Sequence, residues 1–181
     1  NPYPSAIDAD LFITNPNNAT MINGALYFWT HNTAITNNEY TADDYASYTL
    51  TGGTGTGGVG NFVDANNNGI MDPVEEVVSN RPLGKIAAGQ SFFVENAAAG
   101  SFQFTNTMRI AGNNSQFFKQ ANTKKTATVE KNRVWLNLTN SGGAFKQLLV
   151  GYITGATNDW DNLYDGPTFD GQEFVDFYSV N

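Results

Sequence analysis

The twelve residues from Asp64 to Glu75 have the spacing of a calcium-binding loop. Such loops place oxygen-bearing side chains at positions 1, 3, 5, 9 and 12, a glycine at position 6 and a backbone carbonyl at position 7. Gly69 stands at position 6, where its backbone takes dihedral angles that a Cβ atom would obstruct. The predicted calcium ligands are Asp64, Asn66, Asn68, Ile70, Asp72 and Glu75. The alternative is an Asn-rich turn that holds only water.

The ligand chemistry of this loop favours Ca²⁺ over zinc or copper. Carboxylate and amide oxygens are hard ligands, and Ile70 would add its backbone carbonyl. No amphipathic helix precedes Asp64, so a paired calcium sensor is not expected. The loop is predicted to stiffen a β-domain, because an ion that binds only the folded form stabilises that form.

A second acidic turn runs from Asn158 to Gly166. Its aspartates Asp159, Asp161 and Asp165 would form a second metal site if their carboxylates converge. The alternative is that these carboxylates are solvated or cap the backbone of the turn.

The same turn contains an aromatic pair that predicts ligand binding. Trp160 lies between acidic residues, which favours an exposed indole. With Tyr164 it would stack on a sugar ring, while Asp159, Asp161 and Asn162 hydrogen-bond the sugar hydroxyl groups. The alternative is that Trp160 folds back over a sheet edge.

The sequence contains few residues in the patterns that are typical of an enzyme active site. His31 is the single histidine and has no nucleophile motif beside it, so we expect a structural role for it. A glycoside hydrolase needs two facing carboxylates at a fixed separation, which the sequence does not give. The acidic residues that would have to supply them are Asp43, Asp44, Asp159, Asp161 and Glu173. We expect the protein not to be an enzyme.

Composition narrows the class of protein further. The 181 residues include 9 basic and 17 acidic side chains, for a formal net charge of −8. This balance argues against nucleic acid as a partner, and no apolar run is long enough to insert into a membrane. The absence of cysteine from the sequence excludes disulfides and thiolate zinc sites. The chain starts without Met or a leader, and we expect it to be a piece of a longer precursor.

Short apolar or aromatic runs, each bounded by turn residues, predict the strands that must position these sites. The runs lie at Ala25–Trp29, Ser91–Val94, Ser101–Thr105, Arg133–Leu138, Gln147–Ile153 and Phe174–Tyr178. Helical signal is confined to Asp8–Ile13, with Asp8 as its N-cap, and to Asn113–Gln120.

These elements predict an all-β fold, an antiparallel β-sandwich of jelly-roll type with long loops and one or two short helices. A single domain is predicted over residues 1–181, with an insertion at about 51–82 that carries the calcium loop. Trp135 lies in an alternating strand and is predicted to belong to the core.

Several segments in a fixed order resemble one family. They are Asn1–Asp8, Leu26–His31, Gly84–Val94, Asn106–Arg109, Arg133–Leu138, Leu149–Tyr152, Gly155–Thr157 and Tyr164–Asp165. Together they resemble β-rich modules of large secreted or surface proteins of Bacteroidota, which stand upstream of a C-terminal type IX secretion sorting domain. The resemblance implies export and surface attachment at the outer membrane, and it supplies no catalytic residue.

The sequence thus predicts a non-catalytic, calcium-binding module of a secreted or cell-surface protein that binds carbohydrate or mediates adhesion. The expected partners are a glycan or a cell-surface molecule and the neighbouring domains of the same precursor. The alternative is a structural stalk or presentation domain, associated with type IX secretion, that binds only cations.

Overall fold

A computed structural model describes residues 1–30, 44–56, 81–112, 131–140, 145–168 and 176–179. In this part of the chain nine strands form three sheets, and every pairing is antiparallel. The strands are β1 Ala6–Asp8, β2 Ile22–Trp29, β3 Tyr45–Tyr48, β4 Gly53–Thr54, β5 Lys85–Ile86, β6 Phe93–Asn96, β7 Arg109–Ile110, β8 Lys131–Thr139 and β9 Phe145–Ile153. The prediction of an all-β, antiparallel, sandwich-like fold is confirmed.

The three sheets differ in size. The strand orders are β5-β1-β7, β4-β3-β2-β6 and the two-stranded ribbon β8-β9. Two short helices, α1 Ala9–Ile13 and α2 Pro16–Ala19, join the first sheet to the second, and a 3₁₀ helix covers Asn106–Met108. Among the described residues no helix has the length and apolar character needed to cross a membrane.

Helix α1 forms where the sequence predicted it. The Asp8 side chain accepts a hydrogen bond from the Leu11 backbone N–H and so caps the helix. The helix buries Phe12 and Ile13 against the sheets. Helix α2 was not predicted, although it begins with the favourable pair of Asn15 as N-cap and Pro16 at its first position.

The core lies between α1 and the inner faces of the two larger sheets. Alternation along β2 turns Leu26 and Phe28 into this core, while Tyr27 and Trp29 point to the opposite, outer face of the sheet. Phe12 contacts several phenylalanine rings at centroid distances of 5.0 to 6.0 Å. Aromatic packing of this kind replaces the disulfides that the chain cannot form.

The prediction of a strand at Ser101–Thr105 is wrong, since this segment is irregular. Its alternation is real, because Phe102 and Phe104 pack against the core while Ser101 and Gln103 are exposed. Its backbone, however, bonds to side chains: Gln103 N–H donates to Asn18 Oδ1 at 2.7 Å, and Asn18 Nδ2 donates to Gln103 O at 2.9 Å. A buried amide here takes the place of a neighbouring strand.

Other boundaries shift by a few residues. The strand predicted at Ser91–Val94 begins at Phe93, and the described residues 176–178 of the predicted strand Phe174–Tyr178 are irregular. Strand β4 falls inside the predicted insertion at about 51–82 and pairs with β3, so the start of that stretch belongs to the sheet. The possible helix Asn113–Gln120 lies outside the described residues.

Candidate functional site

A groove of about 1120 Å³ runs along β9. Its facing wall is the outer face of the four-stranded sheet, where Tyr27, Tyr45 and Ser47 alternate with core residues. Its end is closed by the segment 154–168 and by residues 176–179. Because the groove lies between elements that are far apart in sequence, it exists only in the folded chain.

The acidic turn at one end of the groove is fixed to β2. The register of β2 against β6 shifts between Ile22 and Leu26, and this irregularity leaves backbone groups free to bond outside the ladder. Gly24 N–H donates to Asn162 O at 3.1 Å, and the Asn162 side-chain amide donates to Ile22 O. The bulge therefore holds the turn that carries Trp160.

Inside the turn, the carboxylates cap the backbone. Asp161 accepts from the Thr157 N–H through its side chain, and the Asp161 N–H donates to Asp165 Oδ2 at 2.7 Å. In the described ranges no three acidic or histidine side chains converge to hold a metal ion. The second cation at Asp159, Asp161 and Asp165 stays a prediction, with two of its three carboxylates engaged as backbone acceptors.

The three predicted ligand-binding residues have different environments. Trp160 is 51% exposed and lines the groove. Tyr164 also lines the groove but is half-buried and packs against the core. The side-chain amide of Asn162 is hydrogen-bonded to the β2 bulge, and Asn162 does not line the groove. The structure thus brings Trp160 and Tyr164 to one site and gives Asn162 a positioning task.

Two strongly exposed aromatic residues of the groove were missed by the sequence analysis. Tyr152 on β9 is 77% exposed and Tyr178 is 58% exposed, and both line the groove with Trp160. The run from Gln147 to Ile153 is almost uniformly apolar, so it gave no sign of which residues face outward. Only the pairing of Tyr152 with Asn132, at the polar end of β8, indicates that the Tyr152 side chain lies on the exposed face of the ribbon.

Tyr27 forms the buried part of the facing wall. Its hydroxyl donates to Pro167 O at 3.3 Å and so connects the sheet to the end of the acidic turn. Burial, with a smaller contribution from the charge of Glu95, raises the pKa of Tyr27 to about 12. The phenol is therefore a neutral hydrogen-bond donor at every physiological pH.

Most of the remaining candidates belong to parts of the chain that the structure does not describe. The calcium loop Asp64–Glu75, His31, Asp43 and Glu173 lie outside the described residues. Asp44 is described, but it is completely buried and is not among the residues that line the groove. It therefore offers no carboxylate to a ligand in the groove.

Trp135, predicted to be a core residue, is half-buried on the inner side of the ribbon. Its Nε1 donates to Gly53 O at 3.0 Å, which attaches β8 to β4. The guanidinium of Arg81 lies 3.9 Å from the indole centroid, close enough for a cation–π contact. Trp135 is thus a packing residue at the junction of two sheets and not part of the groove.

Comparison with known proteins adds one finding. A family model described as "Domain of unknown function (DUF8693)" matches residues 1–181. No curated protein and no solved structure shows significant similarity to the chain.

Proposed function

The chain belongs to the family described as a domain of unknown function (DUF8693), a description that names no activity, and we propose that it is a non-catalytic carbohydrate-binding module. One observation carries this proposal: three exposed aromatic side chains, Tyr152, Trp160 and Tyr178, line a single groove. Aromatic rings offer flat apolar surfaces on which the C–H face of a sugar ring stacks. Exposed aromatic rings that bind no ligand would only lower the solubility of the protein.

The polar lining of the groove supports a sugar ligand. Ser47, Thr49, Thr51 and Thr54 line its sheet-side wall. The Ser47 and Thr54 hydroxyls bond to each other at 2.6 Å, and each keeps an acceptor lone pair for a ligand. A hydroxyl both donates and accepts hydrogen bonds, as sugar hydroxyls require. Apolar stacking surfaces combined with a few polar groups are typical of small-molecule sites.

The charge of the groove selects among sugars. Among the described residues, its lining includes the carboxylates Asp159, Asp165 and Asp176 and one lysine, Lys146. A sulfated or uronate-rich chain would place anions beside these carboxylates, which is unfavourable. We therefore propose that the ligand is an uncharged oligosaccharide.

The test is binding of uncharged and anionic oligosaccharides by calorimetry. Trp160→Ala should weaken binding of the uncharged ligand by about tenfold, the effect of losing one stacked ring. Phe93→Ala is the matched control, because Phe93 is 61% exposed but does not line the groove. Unchanged affinity in Trp160→Ala, or binding of no uncharged oligosaccharide, would refute the proposal.

We further propose that Asp64, Asn66, Asn68, Ile70, Asp72 and Glu75 bind Ca²⁺. Support comes from their spacing in the sequence. Chelation should then lower the melting temperature, and Asp64→Ala should remove the difference between chelated and calcium-loaded protein. Asp159→Asn is the matched control, because it removes a carboxylate from the acidic turn and should retain the calcium effect. A melting temperature that chelation leaves unchanged would exclude the stabilising role.

The module is proposed to work in a secreted or surface-attached protein, where its partners are glycans and neighbouring domains. The alternative, a stalk or presentation domain, shares the calcium effect and lacks sugar binding. The calorimetric and melting experiments together therefore separate the two functions.

A further inference from the structure

The ribbon formed by β8 and β9 has one face that hydrogen-bonds to residues 51–55 and one face on which large apolar side chains are exposed. On its inner face, Arg133 Nη1 donates to Thr51 O at 3.1 Å, and the Gly55 N–H donates to Gln147 Oε1 at 2.9 Å. Because side chains alternate along a strand, the residues between these positions lie on the opposite face of the ribbon, and five of them, Asn132, Lys146, Leu148, Val150 and Tyr152, also line the groove. Continuous register over nine residue pairs keeps this alternation intact from end to end.

The second of these faces, here called the outer ribbon face, is apolar at its centre. By register it carries Asn132, Val134, Leu136 and Leu138 from β8 and Lys146, Leu148, Val150 and Tyr152 from β9. Val134 is 57% exposed, Leu136 is 43% exposed and Leu138 is 41% exposed. A two-stranded ribbon with a solvated apolar face is an unfinished layer, since such a face normally packs against another sheet or helix.

The arrangement of polar residues on this face is self-complementary. Lys146 and Asn132 occupy opposite corners, because Lys146 pairs with Leu138 at one end of the ribbon and Asn132 pairs with Tyr152 at the other. If a second copy lies face to face about a two-fold axis across the strands, Lys146 lies over Tyr152 of the second copy. A two-fold axis along the strands instead places it over Leu138. In neither alignment do two lysines meet, and a lysine over a tyrosine ring is a favourable cation–π pair.

We propose that the outer ribbon face packs against the same face of a second copy of this chain, which forms an isologous homodimer. The sequence from 131 to 153 contains no carboxylate, so the contact leaves no buried anion although the whole chain carries a net charge of −8. An apolar centre with polar corners is the usual anatomy of a homodimer interface. The two bodies lie on opposite sides of the paired ribbons. Tyr152 belongs both to this face and to the groove, so a second copy and an oligosaccharide would compete for it.

The size of the face sets the expected strength. Four side chains per strand at sheet spacing cover roughly 300–500 Å² per copy. The total of roughly 600–1,000 Å² falls below that of a standard stable interface, at ~1,200–2,000 Å². We therefore expect a reversible dimer with a Kd on the order of 10–100 µM.

Analytical ultracentrifugation of the full chain from roughly 5 to 500 µM tests the proposal. Wild type should pass from monomer to dimer, and Leu136→Glu and Val150→Glu should each raise the Kd by about tenfold or more. Leu83→Glu is the matched control, because Leu83 is 48% exposed and lies off the ribbon. A monomer throughout this range, or a dimer that Leu136→Glu leaves intact, overturns the proposal.

Covalent crosslinking tests the proposal with variants that introduce no charge, so a folding defect of the glutamate variants does not affect its result. The chain has no cysteine, so a single introduced thiol is unique. Val134→Cys should be joined into dimers by a short bismaleimide in proportion to protein concentration, and Leu83→Cys should not. Equal yields from the two variants would show random collision and would also overturn the proposal.

Discussion

Two tyrosine hydroxyls connect parts of the chain that are distant in sequence. Tyr27 donates to Pro167 O, and Tyr48 donates to Asp10 Oδ1 at 2.7 Å. Both phenols are buried, and burial is the first cause that raises the pKa of each above the usual value of 10.0. For Tyr48 the nearby carboxylate of Asp10 raises the pKa further. An ionised phenol is therefore strongly disfavoured at either position.

Tyr27 makes stability depend on pH in the alkaline range. In the unfolded chain its phenol ionises near pH 10, whereas in the folded protein it stays protonated to about pH 12. Between these values the unfolded state releases a proton that the folded state keeps, so the free energy of unfolding falls as pH rises. The loss is on the order of 2 kcal/mol. Tyr27→Phe should remove this part of the loss.

Urea unfolding of wild type and Tyr27→Phe at neutral and alkaline pH measures that difference. At neutral pH the variant should be less stable by about 1 kcal/mol, since it lacks the bond to Pro167 O. Between pH 10 and pH 12 the two curves should cross, because the wild type loses more stability than the hydrogen bond of Tyr27 contributes. Parallel curves across the alkaline range would show that Tyr27 ionises normally.

At the scale of residues, the sequence identified side chains with suitable chemistry better than it predicted their surroundings in the fold. Trp160 was identified because its acidic neighbours favour solvent, and the structure exposes it. Asn162 carries equally polar chemistry but bonds to Ile22 O, a partner 140 positions earlier in the chain. No local pattern encodes that bulge in β2, so the task of Asn162 was not predictable.

At the scale of elements, the junction of β5 with α1 depends on one glycine. Gly84 has φ = +79°, and its carbonyl accepts the Ala9 N–H at 2.9 Å. A Cβ atom on Gly84 would overlap the hydroxyl of Tyr48, which is itself held by Asp10. The overlap falls on a tyrosine that burial and a hydrogen bond hold in place.

Gly84→Ala should therefore destabilise the protein through both strain and overlap. Gly89 separates the two causes, because it has φ = +72° but no atom lies within 4 Å of its would-be Cβ. Gly89→Ala should cost about 1 kcal/mol, the strain alone, and Gly84→Ala about 2–4 kcal/mol. Thermal unfolding of the two variants makes the comparison. Equal losses would mean that Tyr48 yields and that packing adds nothing.

Long elements were predictable and short ones were not. Strands β2, β8 and β9 have eight or nine residues each, enough for apolar runs and turn signals to stand out. Strands β4, β5 and β7 have two residues each, and they exist because a neighbouring strand supplies hydrogen-bond partners. Ser101–Thr105 is the converse case, since its alternation is correct but its partner is the Asn18 amide.

At the scale of the molecule, stability differs between regions of the described chain. The cluster around Phe12 and Leu26 buries its side chains completely between the two larger sheets. The ribbon is joined to this body through side-chain hydrogen bonds from Arg133, Trp135 and Gln147. Regions with few buried apolar contacts open at lower free energy than the core. The ribbon should therefore exchange its amide hydrogens before β2 does.

Trp135→Phe should widen this difference. The variant loses the bond to Gly53 O and weakens the stacking of Arg81, together worth on the order of 1–2 kcal/mol. Amides of β8 and β9 should then exchange about tenfold faster, while those of β2 keep their rates, because Trp135 is not part of the Phe12 cluster. Hydrogen exchange at low protein concentration, where the ribbon is unpaired, measures both sets at once. Uniform acceleration across all strands would mean that the ribbon and the core unfold as one cooperative unit.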